Sequence, residues 1–213
     1  MDISTPSGCH VARADERVRA FLAAEWPYYD GLADTDPDRI TVVDVLAPVM
    51  LNAYSFGMGA DKLQRIHRQF AAACEPLLAD IPADADLRSF DPELSRVRAV
   101  LAAAVHVPNV LVPVATKILH RKRRRLIPVL DNVLLEFYLG VAGVKPYRTQ
   151  DKLQAADLAV VALRLLRTDL IGCEEPLASL ASSAARAGHP VGPLRLLEVL
   201  IWSELEPRGY YRG

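Results

Sequence analysis

Absences bound this sequence before any motif does. No uncharged apolar run reaches membrane-spanning length and no basic-then-apolar leader opens the chain. Neither insertion nor secretion is therefore expected, and a cytoplasmic location is. The three cysteines, Cys9, Cys74 and Cys173, are too scattered for a disulfide framework or a zinc knuckle. That spacing fits a reducing compartment and offers no metal site. A phosphate-cradling glycine loop, a zincin motif and a Gly-x-Ser-x-Gly elbow are all missing, so nucleotide hydrolases, metalloproteases and α/β-hydrolases have no support. No cofactor is implied. A net charge of −1 argues against non-specific coating of nucleic acid, while a local basic face still permits a focused phosphate contact. Strand-like alternation is scarce as well: residues 38–43 come nearest, and that stretch is short.

What is present is apolar content of 51% over 213 residues, enough to bury one sizeable core. Most of it recurs at helical spacing. The expectation is an all-α fold of eight or nine helices in a single domain over residues 1–213. Two helical lobes would flank a cleft, with a hinge in the acidic, proline-bearing stretch near residues 80–90.

Chemistry is densest in residues 107–137. Leu111, Ala115, Ile118 and Leu119 share one helical face, and Pro113 falls in the first turn, where a missing N–H costs no hydrogen bond. His120, Arg121, Lys122, Arg123, Arg124 and Arg125 follow without an acid. Such a run complements the negative end of a helix dipole and is expected to present a positive surface; it reads either as a solvated helix end or as a phosphate grip. Pro128 then opens a second helix with Val129, Leu130, Val133, Leu134 and Phe137 inward, placing Asp131 in its first turn, where amide groups favour an ionised carboxylate. Lys117 is placed to approach Asp131 across the helix pair, either as a chemical partner or as an ion pair fixing two helices.

Elsewhere the reading is structural. Residues 1–10 form a flexible lead and residues 11–26 a helix that stops before Pro27. The loop Trp26-Pro27-Tyr28-Tyr29-Asp30-Gly31 interleaves aromatics with an acid; it either walls a pocket or anchors to the core. Thr41 and Asp44 make a capping-box start for a helix through Val45, Leu46, Val49, Met50 and Tyr54, broken by residues 55–59. Residues 60–78 are helical, with His67 at the border as a polar contact. Asp91-Pro92-Glu93 marks the start of a helix ending near His106. Residues 140–146 end the Asp131 helix, and Tyr147 and Arg148 precede a long helix over residues 149–170. A short helix over 174–187 and a nearly wholly apolar one over 193–205 complete the set. In the last, Arg195 and Glu198 pair at i, i+3 and Trp202 is a buried anchor. Residues 208–213, with Tyr210 and Tyr211, are frayed or fold over a pocket.

The order Val107-Pro108-Asn109-Val110, then Ala115-Thr116, then Ile127-Pro128-Val129-Leu130-Asp131 resembles the helix-hairpin-helix DNA glycosylase superfamily. In that superfamily a catalytic aspartate follows the hairpin, just inside a helix, and Asp131 is the matching position. Over most of its length the chain also resembles an uncharacterised actinobacterial family of unknown function. That likeness rests on Ala115 to Lys117, His120 to Arg123, Leu126 to Asp131, and the Leu-Arg-Leu-Leu-Glu-Val pattern that runs from Leu194 to Trp202. The chain departs from the glycosylase pattern twice. Asn109, Val110 and Leu111 stand where glycines let amides approach a phosphate, and Pro113 stands where lyase-type members carry an amine, which excludes β-lyase chemistry from that position.

The resemblance implies a monofunctional N-glycosidic hydrolase acting on a nucleobase-containing substrate. Asp131 is the catalytic position it matches; from the residues themselves Lys117 is the second catalytic candidate, Lys122, Arg123, Arg124 and Arg125 would hold a phosphate, and Tyr29, Asp30 and His120 are binding groups of the cleft. Two alternatives stay open: a non-catalytic nucleic-acid-binding module, and a small-molecule enzyme or binder using the same cleft. The partners these readings name are DNA or a nucleobase-like small molecule, with no membrane.

Overall fold

The computed structural model describes residues 1–24, 28–52, 59–144 and 151–206. Among these the chain is helical apart from one two-stranded hairpin, in agreement with the all-α expectation. The nine α-helices of the described residues are α1 (Ala14–Ala24), α2 (Val42–Leu46), α3 (Ala60–Leu78), α4 (Ser95–His106), α5 (Val112–His120), α6 (Asn132–Val141), α7 (Lys152–Gly172), α8 (Glu174–Arg186) and α9 (Pro193–Leu205). None of them is long and apolar enough to cross a membrane. Trp26, Pro27, Tyr54, the 55–58 break, Tyr147, Arg148, Tyr210 and Tyr211 lie outside the described residues.

Helix α4 packs on α3 and α7, α6 on α7 and α9, and α9 on α1 and α8. One continuous core joins them, and Ile81, Ala85 and Leu87 belong to it. The 80–90 stretch, expected as a hinge, is thus pinned by buried side chains, and the Leu87 amide is bonded to the Arg125 carbonyl at 2.9 Å.

Several boundaries move for local reasons. The lead is ordered: β1 (Ile3–Ser4) pairs antiparallel with β2 (His10–Val11), turning at Gly8 with φ +87°, and buries Ile3 and Val11. The Ser7 amide donates to Asp169 Oδ1 at 2.7 Å, tying this hairpin to α7. The capping box at Thr41 and Asp44 forms as expected, but α2 stops after five residues, and Pro48 falls in a 3-10 turn, Ala47–Leu51, that leaves Val49 and Met50 exposed. Asp91 and Leu94 adopt positive φ, which delays α4 until Ser95, where the Asp91 carboxylate accepts from the Arg96 amide at 2.6 Å. Pro128 does not open α6. Residues 126–130 form a buried, non-helical linker that begins in a turn on the Arg123 carbonyl, and Asp131 is the N-cap rather than a first-turn residue, accepting from the Leu134 amide at 2.9 Å. Trp202 is only partly buried at the edge of the core.

Candidate functional site

The position of the site follows from side chains on α5 that clasp the linker ahead of α6. The Thr116 hydroxyl accepts from the Leu130 amide at 3.2 Å and lies 3.3 Å from the Leu130 carbonyl. One turn later His120 donates from Nδ1 to the Ile127 carbonyl at 2.8 Å. These bonds satisfy linker groups that burial would otherwise leave unpaired. They also set Lys117, beside Thr116, against Asp131, beside Leu130.

Lys117 and Asp131 line one cavity of about 330 Å³, together with Val129, Leu134, Asn52 and the α9 residues Arg195, Glu198 and Trp202. Tyr28 and Met50, both exposed, stand at its rim. Sequence reasoning had put Lys117 and Asp131 together, and the fold does so. The α9 contribution was missed, although two charges in an otherwise apolar helix were the available signal.

Arg195 organises the wall behind the cavity. Its Nε reaches both oxygens of Asp30, at 3.0 and 3.1 Å, and its Nη1 reaches Glu198 Oε2 at 3.1 Å. One guanidinium faces two carboxyls, and the doubly held Asp30 takes the charge-assisted pairing. Burial pushes the Glu198 carboxyl up to about 8, against Arg195, and so favours its protonated form. Among the described residues its Oε1 is buried with no hydrogen-bond partner; the Val129 amide favours the anion without closing a bond of normal geometry. Tyr29 is buried behind the cavity, its hydroxyl donating to the Lys117 carbonyl and its ring centroid 5.7 Å from the Arg195 guanidinium. Burial pushes the Tyr29 phenol up and the His120 imidazole down to about 4, so both are neutral. Tyr29, Asp30 and His120 therefore support the cavity without lining it.

Burial lowers Lys117 to about 8, with Asp131 working against the shift and Arg195 with it. Its Nζ donates to the Leu51 carbonyl at 3.2 Å. Burial also raises the Asp131 carboxyl, against the opposing pull of the Leu134 amide and Lys117. The helix-start amides favour the ionised carboxylate as the sequence reading expects, and burial outweighs them in the direction of the shift.

The basic run is not a positive surface. Arg121 meets Asp44 at 2.9 Å and Lys122 meets the same carboxylate at 2.5 Å, all three being buried. Lys122 Nζ also donates to Thr35 Oγ1 and the Asp36 carbonyl. Arg123, with no exposed surface, donates to the carbonyls of Pro37, Leu78, Ile81 and Lys122 and to Asp38 Oδ1. Arg124 and Arg125 reach solvent but pair with Asp34 at 2.6 Å and Asp86 at 2.8 Å. The expected phosphate grip at Lys122 and Arg123 is corrected: consecutive cations turn inward because the 33–38 loop and the ends of α2 and α3 offer carboxylates and free carbonyls.

Residues 13–205 match the model of a Family of unknown function (DUF6308). No curated protein and no solved structure matches the chain.

Proposed function

We propose that this chain, which belongs to that family of unknown function, hydrolyses the N-glycosidic bond of a small nucleobase-containing molecule held in the cavity between α5, α6 and α9. The observation that carries the reading is that Lys117 and Asp131 line a single cavity of about 330 Å³. That volume lies at the lower end of the range for small-molecule sites. The lining supports it: Trp202, Leu134 and Val199 offer an apolar wall to a base, and Asp131, Asn52 and Lys117 offer polar groups to a sugar. Asp131 would stabilise an oxocarbenium-like sugar and accept a proton from the attacking water. Lys117, as an ammonium, would favour the ionised Asp131 and meet a substrate hydroxyl.

A helix-hairpin-helix relationship, with two lobes meeting at this cavity, belongs to the same proposal and rests on the order α4, turn, α5 and the capping Asp131. A small molecule is favoured over a DNA backbone because the cations that would grip phosphates are engaged internally.

The test is base release from a panel of purine and pyrimidine nucleosides, followed by chromatography, for the wild type and Asp131→Asn. Asparagine keeps the capping oxygen, so the variant should melt near the wild-type temperature and lose turnover by about 10²-fold or more. No release from any nucleoside by the wild type, or full turnover by the variant, overturns the reading.

A further inference from the structure

Five lysine and arginine side chains of the described residues are buried: Lys117, Arg121, Lys122, Arg123 and Arg195. Four of them meet a carboxylate within 4.0 Å, namely Asp44 for Arg121 and Lys122, Asp38 for Arg123, and Asp30 for Arg195. Among the described residues Lys117 makes no such pair and its Nζ has one hydrogen bond, to a backbone carbonyl; it is also the one of the five whose setting is an amine beside an acid in a cavity. A fold that neutralises every other buried cation leaves this one exposed to a ligand.

We propose that Lys117 is a covalent site, forming a reversible Schiff base with a small aldehyde or ketone that enters the cavity. The amine nitrogen adds to the carbonyl carbon, the carbonyl oxygen takes a proton, and loss of water leaves the C=N bond; water reverses the reaction. Asp131, on the same cavity wall, is the group that gives and recovers the proton at oxygen. Burial favours the free amine that this chemistry needs, as for other desolvated lysines. Asp131, capping α6, opposes the free amine, and Arg195 on α9 favours it; Glu198, also on α9, is pushed toward its neutral form by burial. The assignment does not depend on which bond the enzyme hydrolyses.

The probe is glyceraldehyde with cyanoborohydride on the full chain, with the adduct located by peptide mass spectrometry. Reduction at neutral pH should label Lys117 ahead of Lys62 and Lys152, which lie nearer the surface. The labelling rate should rise with pH to a midpoint of about 8. Lys117→Met should lose that adduct while keeping those on the other lysines. The site assignment in the wild type stands whether or not the variant folds. Wild-type labelling that spares Lys117, or spreads evenly over all lysines, overturns the proposal. Labelled Lys117 in a protein that releases no base would retain this proposal and reject the hydrolase reading.

Discussion

The Thr116 hydroxyl bonds the Leu130 amide at 3.2 Å, and through this one contact the residues that follow each partner, Lys117 and Asp131, come to share a cavity. Thr116→Val keeps the shape and β-branching but removes the acceptor. It leaves the buried Leu130 amide unsatisfied, at a cost of about 1–3 kcal/mol. The expected outcome is a lower melting temperature together with a slower glyceraldehyde reaction at Lys117. Unchanged values for both would mean that the clasp does not set the cavity.

Glu198 gives a pH signature of definite sign. Its folded pKa, about 8, is above the unfolded value of 4.5, so the folded state holds a proton that the unfolded state has lost. Its contribution is fully present below pH 4.5 and is lost as pH rises through 8. His120 acts oppositely but in a lower window, between its folded value near 4 and its ordinary 6.5. Lys117, whose folded value of about 8 lies below its ordinary 10.5, opposes Glu198 as pH nears 8, so urea unfolding between pH 6.5 and 8 reads Glu198 as the difference between the wild type and Glu198→Gln. Stability should fall across that interval in the wild type, and Glu198→Gln should flatten the slope; equal slopes would show that the carboxyl is ionised throughout.

Arg123 and Arg124 are neighbours with opposite consequences. Removing the fully buried Arg123 leaves several carbonyls and Asp38 without their donor, and Arg123→Met should destabilise by about 3–5 kcal/mol. Arg124→Ala removes only a solvent-facing pair and should change stability by about 1 kcal/mol or less. Chemical denaturation of both variants measures the contrast, and a near-neutral Arg123→Met would contradict the hub described for this residue.

Gly172 ends α7 beneath the N-terminal hairpin, and a Cβ built there meets Pro6 Cγ at 2.5 Å. Alanine has the better helix propensity, by about 0.8–1.0 kcal/mol, yet the clash should outweigh it by displacing the hairpin. Gly172→Ala is expected to be net destabilising and to increase amide exchange at Cys9 and Val11. A more stable variant would mean that the hairpin yields without loss.

Long amphipathic segments were legible because burial imposes their period: the bounds of α3 and α9 coincide with those read from spacing, and the Thr41–Asp44 capping box forms as the residue pair indicates. The basic run was misread because a string of cations looks the same whether it faces water or a ring of carbonyls. The deciding partners, Asp44, Asp38 and Leu78, lie 45 to 85 residues away. Likewise a reading from spacing starts α6 too early because Val129 and Leu130 are apolar on a helical template, while the Thr116 contact that holds Leu130 outside the helix is tertiary. Of the site, Lys117 and Asp131 were within reach of local reading. Glu198 needed the third dimension, because only packing shows that one of its oxygens has no partner.

Arg17 on α1 bonds the Ser203 carbonyl and the Glu204 carboxylate on α9, a closure spanning up to 187 residues. The apolar side of α1, with Val18, Phe21 and Leu22, finds its cover on α8 and α9. During synthesis at about 5–20 residues per second, that side waits roughly ten to forty seconds for the helices that shield it. For that interval the nascent chain carries an exposed adhesive stripe. Chains truncated before α8 are expected to aggregate, and their soluble yield measures that cost.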